Sequence, residues 1–258
     1  MNQEVGEFSL TGHAEPQARQ LPDLSSTDQA ELEHLVNAVQ ALNPQPRAQR
    51  WRSLTYCLVD AVWSIGARYD TVVVPLVRRV AHEHGDGEPL VDTGTPLPRD
   101  PAPLRAFLAR FGPHNPLTSV TNRQRTSTRG GALKADVARR YAEVLLEHGV
   151  GTLADVAPLM RDARRFEHVN DTLRRLPGEG QHGVRRNYLW MLAGDDDGVK
   201  PDRMVLRWFA RHGQHVEPLE AAMLVRAIAD RLTELGHPTT PWEVDHAIWS
   251  AQRAPRHS

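Results

Sequence analysis

Apolar residues recur along this chain at intervals of three and four positions, which is the spacing of an amphipathic α-helix. In the segment Leu133–His148, the apolar residues that share one helix face are Val137, Tyr141, Val144 and Leu145. No run alternates between apolar and polar residues as a half-buried strand does. The nearest approach, Thr71–Val74, has four residues before Pro75. The pattern therefore predicts an all-α protein of about ten helices.

Capping and breaking residues divide the chain into elements. Ser25, Ser26 and Thr27 are favourable N-caps for a first helix. Further helices are expected over 48–69, 72–84, 103–111, 133–148, 153–160, 163–176, 182–193, 202–212, 217–235 and 241–252. Residues 1–24 are polar and lack periodicity, which predicts a flexible lead-in before one helical domain over residues 25–258.

Composition excludes several classes of protein. Of the 258 residues, 40% are hydrophobic and 24% are charged, as in ordinary globular proteins. No apolar run approaches the roughly 20 residues that a membrane span needs, so no membrane partner is expected. The only cysteine, Cys57, excludes an internal disulfide and a four-cysteine iron–sulfur cluster. These features predict a cytoplasmic protein.

Charge is unevenly distributed although the net charge is only −1. Residues 1–46 hold seven acids and one base, a net charge of −6, so the remainder of the chain carries +5. Between positions 113 and 141 there are six bases, among them Arg129 and Lys134, and one acid. Such a cluster can bind phosphates, and it is also compatible with a solvated helix face.

The segment Leu176–Gly180 (Leu-Pro-Gly-Glu-Gly) separates two predicted helices. Two glycines two positions apart allow a tight turn whose backbone N–H groups point outward at the start of the next helix. Together with the positive end of the helix dipole, such a turn binds phosphate without sequence preference. Taken alone, the same turn is only an ordinary connection between helices.

About twenty residues after this hairpin comes Val199–Val205 (Val-Lys-Pro-Asp-Arg-Met-Val). The order resembles that of the helix-hairpin-helix DNA glycosylase superfamily, which includes the endonuclease III-like enzymes. In that family a Leu-Pro-Gly-x-Gly hairpin is followed by a helix and then by a catalytic aspartate at the start of the next helix. In this sequence Asp202 has that place.

The resemblance implies a two-lobed helical fold, with a hairpin-containing lobe over about 102–198 and the remaining helices in the other lobe. It also implies that the protein binds double-stranded DNA and hydrolyses the N-glycosidic bond of a damaged or modified base during base excision, with Asp202 as the catalytic carboxylate. The expected DNA-binding residues are Gly178, Gly180, His182, Arg185, Arg186, Lys134 and Arg129. The residues expected near an extruded base are Ser64 and Tyr69.

Bifunctional members of this family have a lysine two residues beyond the second hairpin glycine, where this chain has His182. Because an imidazole is a poor substitute for an imine-forming amine, the resemblance implies a monofunctional enzyme without lyase activity and without a cofactor. It further implies association with the nucleoid.

Two other interpretations remain open. In the first, the protein holds DNA or a partner protein without chemistry, and Asp202 is a helix-terminal acid paired with Arg203 or Arg207 at the surface. In the second, the hairpin is only a connection within a helical scaffold. No metal site is expected, since the closest histidine pairs, His82/His84 and His212/His215, lack completing carboxylates.

Overall fold

The computed structural model describes residues 26–179 and 183–253, and within these ranges the chain is mainly α-helical, as predicted. The predicted lead-in, 1–24, lies outside the described residues. No helix in the described ranges is long and apolar enough to cross a membrane. The helices are α1 (Ser26–Gln40), α2 (Leu54–Trp63), α3 (Val74–Glu83), α4 (Leu104–Arg110), α5 (Lys134–Glu147), α6 (Val156–Arg161), α7 (Ala163–Arg174), α8 (Val184–Ala193), α9 (Arg203–Arg211), α10 (Pro218–Glu234) and α11 (Pro241–Arg253).

A short β-ribbon replaces the start of the helix predicted over 48–69. Strand β1 (Gln49–Trp51) pairs antiparallel with β2 (Leu90–Asp92). The Ser53 side chain then accepts a hydrogen bond of 3.2 Å from the Thr55 amide and begins α2. Strands of three residues are too short to show the alternation by which a strand is recognised, so the sequence pattern missed them.

The same predicted helix also ends early. Helix α2 stops at Trp63, and Gly66 has a left-handed φ of 73°, which an α-helix does not tolerate. One π-helical turn, Tyr69–Val73, then leads into α3. The segment between α2 and this turn is therefore a loop, and its residues line a cavity.

The described residues form two hydrophobic cores. The first extends from Trp51 to Trp190 and joins α2 to α8, and we call this unit the hairpin lobe. The second joins α1 to α9, α10 and α11, and we call it the terminal lobe. The sequence placed the start of the hairpin lobe near residue 102, but α2 and α3 share its core, so it begins near Trp51.

Helix α2 is the central element of the hairpin lobe. All ten of its residues are buried, and it packs against α5 and α8. A helix that is apolar on every side is expected at such a position. Its sequence, LTYCLVDAVW, nevertheless contains one acid, Asp60. The thiol of Cys57 is buried in this helix.

Candidate functional site

A cavity of about 820 Å³ lies between the two lobes. The hairpin lobe contributes residues 64–71, which follow α2, and Glu179 of the hairpin. The terminal lobe contributes residues 200–204 at the start of α9, together with Trp249 and Arg253 of α11. The two segments that the sequence singled out, the hairpin and the Asp202 segment, therefore meet at one cavity.

Asp202 is the N-cap of α9 and lines this cavity. Its Oδ1 accepts hydrogen bonds from the amides of Met204 (2.7 Å) and Val205 (3.4 Å). Its Oδ2 makes no hydrogen bond or ion pair with the residues that the structure describes, and neither Arg203 nor Arg207 pairs with it. The carboxylate of this cavity-lining residue thus caps α9 through Oδ1, while Oδ2 has no partner among the described residues.

The hairpin turn requires glycine at position 178. Gly178 has a φ of 87°, and a Cβ built on it would lie 2.8 Å from Cγ2 of Val137 and 3.0 Å from Cγ2 of Thr126. The turn therefore packs its backbone directly against α5 and the segment before it. The other two hairpin residues expected to bind DNA, Gly180 and His182, lie outside the described residues.

Three of the predicted DNA-binding cations are buried, and this corrects the sequence expectation. Arg185 donates a hydrogen bond to the carbonyl of Gly178, and Arg186 forms an ion pair of 3.1 Å with Glu179. The Nζ of Lys134 donates to the carbonyls of Trp63 (2.9 Å) and Ile65 (2.7 Å).

These three side chains are buried and bond to the turn or to the loop after α2. They therefore do not form an exposed phosphate-binding surface. Of the predicted cations, Arg129 is the exposed one.

Burial changes the ionisation of two of these groups. Desolvation raises the pKa of Glu179 to about 7, although the charges of Arg186 and Arg185 oppose the shift. Desolvation, reinforced by the Arg185 charge, lowers the pKa of Lys134 to about 8. The pKa values of the hairpin carboxyl and of the amine that holds the loop after α2 are therefore both shifted toward neutral pH.

Ser64 and Tyr69, the two residues predicted near an extruded base, both line the cavity. Their hydroxyls donate to Asp60, at 2.5 Å for Ser64 and 2.9 Å for Tyr69. Trp51 donates a third hydrogen bond of 2.7 Å from its indole nitrogen. Burial raises the pKa of Asp60, and these three donors partly offset the effect.

No motif in the sequence identifies Asp60, although an acid inside the apolar stretch LTYCLVDAVW is a visible signal. A buried carboxylate is found where several donors satisfy it. Here it fixes the orientation of two hydroxyl side chains at the cavity.

Lys200 is a second residue that the motifs did not identify. It is buried beside Asp202 in the cavity lining, and its Nζ lies 3.5 Å from the centroid of the Tyr188 ring. Its backbone N–H donates to Oδ1 of the buried Asp245 at 3.0 Å. The family pattern places an amine in the hairpin, and no local pattern shows that Lys200 lines the same cavity.

Aromatic rings form one wall of the cavity. The rings of Tyr69 and Trp249 meet edge to face with centroids 5.8 Å apart. The guanidinium of Arg253 lies over Trp249, 4.3 Å from the ring centroid, and pairs with Asp70. Because Trp249 and Arg253 belong to α11 and the other two residues to the hairpin lobe, these contacts also join the lobes.

Comparison with known proteins identifies a family. No curated protein and no solved structure matches the chain. A protein-family model matches residues 30–253, which include both lobes and every described residue of the cavity. The chain therefore belongs to the family described as Domain of unknown function (DUF8548).

Proposed function

We propose that this protein binds double-stranded DNA and hydrolyses the N-glycosidic bond of a damaged or modified base, with Asp202 as the essential carboxylate. One observation carries the proposal: Asp202 and the glycine turn at Gly178–Glu179 meet at a cavity between two helical lobes. The sequence resemblance concerns these same two segments. Nothing in the sequence separation of the hairpin and the Asp202 segment required that the two lie at the same cavity.

The cavity suits a nucleobase in size and lining. Its volume of about 820 Å³ falls in the range of small-molecule sites, roughly 300 to 1,000 Å³. Tyr69 and Trp249 supply aromatic surface, and the hydroxyl of Ser64 supplies a polar group. A base cannot react inside the duplex, so an enzyme of this type extrudes it into such a pocket.

The chemistry needs a carboxylate at the cavity. As the base departs, positive charge develops on the sugar, and a nearby negative charge stabilises that transition state. Oδ1 of Asp202 is held by the amides of α9, so the position of Oδ2 is fixed. That oxygen can stabilise the sugar cation and accept a proton from the attacking water.

DNA binding in this proposal rests on the turn and on exposed arginines. Arg185 and Arg186 are buried and bonded to Gly178 and Glu179, so in this proposal the backbone of the turn, not these side chains, contacts a phosphate. Arg123, Arg125 and Arg129 are exposed in the segment before α5 and add positive charge beside Thr126, which lines the cavity.

The test is the Asp202→Asn variant on a panel of duplexes that carry alkylated, oxidised, deaminated or bulky-adduct bases. Asparagine caps a helix about as well as aspartate, so folding is preserved while the negative charge is lost. We expect the wild type to release at least one base, and the variant to release it at a rate lower by roughly 10²- to 10⁴-fold with DNA affinity largely retained.

Asp162→Asn is the matched control. Asp162 caps α7 through the Arg165 amide at 3.0 Å, away from the cavity, so this variant makes the same chemical change without touching the site. Equal base release by wild type and Asp202→Asn would refute the catalytic role. Salt-sensitive DNA binding without release of any base would identify a non-catalytic DNA-binding protein instead.

A further inference from the structure

Two histidines from distant parts of the chain meet in the terminal lobe. His34 lies on α1 and His212 is the C-cap of α9, 178 positions later. Nε2 of His34 and Nδ1 of His212 are 3.3 Å apart, and the planes of the two rings are tilted by 54°. The sequence shows histidine pairs only where they are neighbours along the chain, so this pair is created by folding.

The distance between the two nitrogens matches that of a zinc site. In tetrahedral coordination, Zn–N bonds of about 2.0 to 2.1 Å place two ligand nitrogens about 3.3 to 3.4 Å apart. Two nitrogens at a right angle, as in a square-planar or octahedral site, are separated by only about 2.9 Å. Without an ion, one ring donates a long hydrogen bond to the other. An ion takes the place of the shared proton, which moves to the other nitrogen of the donor ring.

The ring of His212 is held in position before any ion binds. It packs on the indole of the buried Trp208, with ring centroids 4.3 Å apart. Its backbone N–H donates to the carbonyl of Phe209 at 2.9 Å. Only the exposed side chain of His34 has to be ordered on binding, which lowers the entropic cost, and its exposure gives an ion access from solvent.

A carboxylate lies one helical turn before His34. Glu31 and His34 form a Glu-x-x-His sequence, and this spacing places both residues on one face of α1. Oε2 of Glu31 accepts a hydrogen bond of 3.0 Å from Gln214, two residues after His212. The bond joins the same two segments as the histidine pair. It keeps a negative charge near the rings, which favours a cation there.

We propose that His34 and His212 form a zinc-binding site at which the ion bridges α1 and the C-terminal end of α9. Across residues 26–179 and 183–253, no three His, Cys, Asp or Glu side chains lie close enough together to hold an ion. The two imidazoles are therefore the protein ligands, and water completes the tetrahedron. Such a site binds zinc more weakly and more reversibly than a structural site with four protein ligands.

This site is independent of the proposed function. Asp202 caps the opposite end of α9, and the nine residues of the helix span about 13 Å. Neither histidine lines the cavity. Zinc is expected to act on the stability of the terminal lobe, because an ion that binds only the folded protein shifts the folding equilibrium by mass action.

Isothermal titration calorimetry with zinc chloride tests the proposal. The full-length protein, freed of metal with a chelator and carrying no histidine tag, is titrated at neutral pH. We expect one zinc ion to bind per chain. Thermal unfolding is expected to shift upward by roughly 5 to 10 °C when free zinc is about 100-fold above its Kd, and EDTA is expected to reverse the shift.

His34→Gln removes one ligand at an exposed position, so folding is preserved. We expect it to weaken zinc binding by at least about tenfold and to abolish the thermal shift. His168→Gln is the matched control. His168 is also exposed and its ring meets that of His148 edge to face, but no hydrogen bond joins their nitrogens in the described part of the chain. This variant is expected to bind zinc as wild type does.

Three results would overturn the inference: no stoichiometric zinc binding by wild type, unchanged affinity in His34→Gln, or an equal loss of affinity in His168→Gln. The first of these needs no variant and holds whatever the substitutions do to folding. None of the three bears on base release, so zinc binding and the glycosylase proposal stand or fall separately.

Discussion

Arg186 donates a hydrogen bond of 3.1 Å to Oε1 of Glu179, and both side chains are buried beside the hairpin turn. The other carboxylate oxygen of Glu179 has no hydrogen-bond partner among the described residues. A buried ion pair with an unsatisfied oxygen is a weak source of stability, because desolvation of the charges offsets their attraction. The turn is therefore sensitive to the protonation of Glu179.

This arrangement predicts a pH dependence of stability. The folded-state pKa of Glu179 is raised to about 7 from an ordinary value of 4.5, so between these values the folded protein binds more protons than the unfolded chain. Below pH 4.5 this carboxyl makes its full contribution to the free energy of unfolding. As pH rises through 7 the contribution is lost, and the loss amounts to roughly 3 kcal/mol at most. Urea unfolding at pH 5 and pH 8 measures it.

Glu179→Gln is the corresponding variant, since glutamine keeps an acceptor for Arg186 but does not titrate. We expect wild type to lose free energy of unfolding between pH 5 and pH 8. The variant is expected to lose less of it over the same interval. An identical pH dependence in wild type and variant would show that Glu179 does not titrate in this window.

Gly178→Ala is expected to destabilise the protein more than an ordinary glycine replacement. Gly178 and Gly213 both have left-handed φ values, 87° and 84°, so alanine at either position is strained by roughly 1 to 2 kcal/mol. Only at Gly178 does the new methyl group also clash, with Val137 at 2.8 Å, which adds roughly 1 to 3 kcal/mol. Thermal or urea unfolding of the two variants gives the difference, and equal destabilisation would contradict the close packing of the turn.

Asp60→Ala is expected to lower the free energy of unfolding by roughly 3 to 5 kcal/mol. The change leaves the indole N–H of Trp51 and the hydroxyls of Ser64 and Tyr69 without their acceptor in a buried region. Asp92→Ala, at an exposed site of β2, is the control and is expected to change stability by less than about 0.5 kcal/mol. Urea denaturation of both variants decides the matter, and a loss below about 1 kcal/mol for Asp60→Ala would contradict the network.

Arg129→Ala tests the exposed cationic segment. If Arg129 neutralises one DNA phosphate, its loss weakens binding equally for all sequences and reduces the slope of log K against log salt by about 1. Arg231→Ala is the control, because Arg231 is already paired with Glu33 and Glu234. Fluorescence anisotropy with a labelled duplex at several salt concentrations measures both slopes. Equal slopes for wild type and Arg129→Ala would exclude a contact between this residue and DNA.

The helices were predictable because their signals are local. Apolar spacing and caps placed α9, α10 and α11 within one or two residues of their observed bounds, and the acid at the start of α9 was identified as Asp202. Each of these features depends on residues within a few positions of one another, so the sequence by itself determined them.

Only the tertiary structure decided which charged side chains are buried and which groups they contact. Lys134 binds carbonyls about 70 residues earlier in the chain, and Lys200 reaches the cavity because α11 holds its backbone through Asp245. The sequence showed Arg185 and Arg186 only as a basic pair, since desolvation depends on neighbours from distant segments. Contacts between such segments arise from packing of the two lobes, which no local pattern encodes.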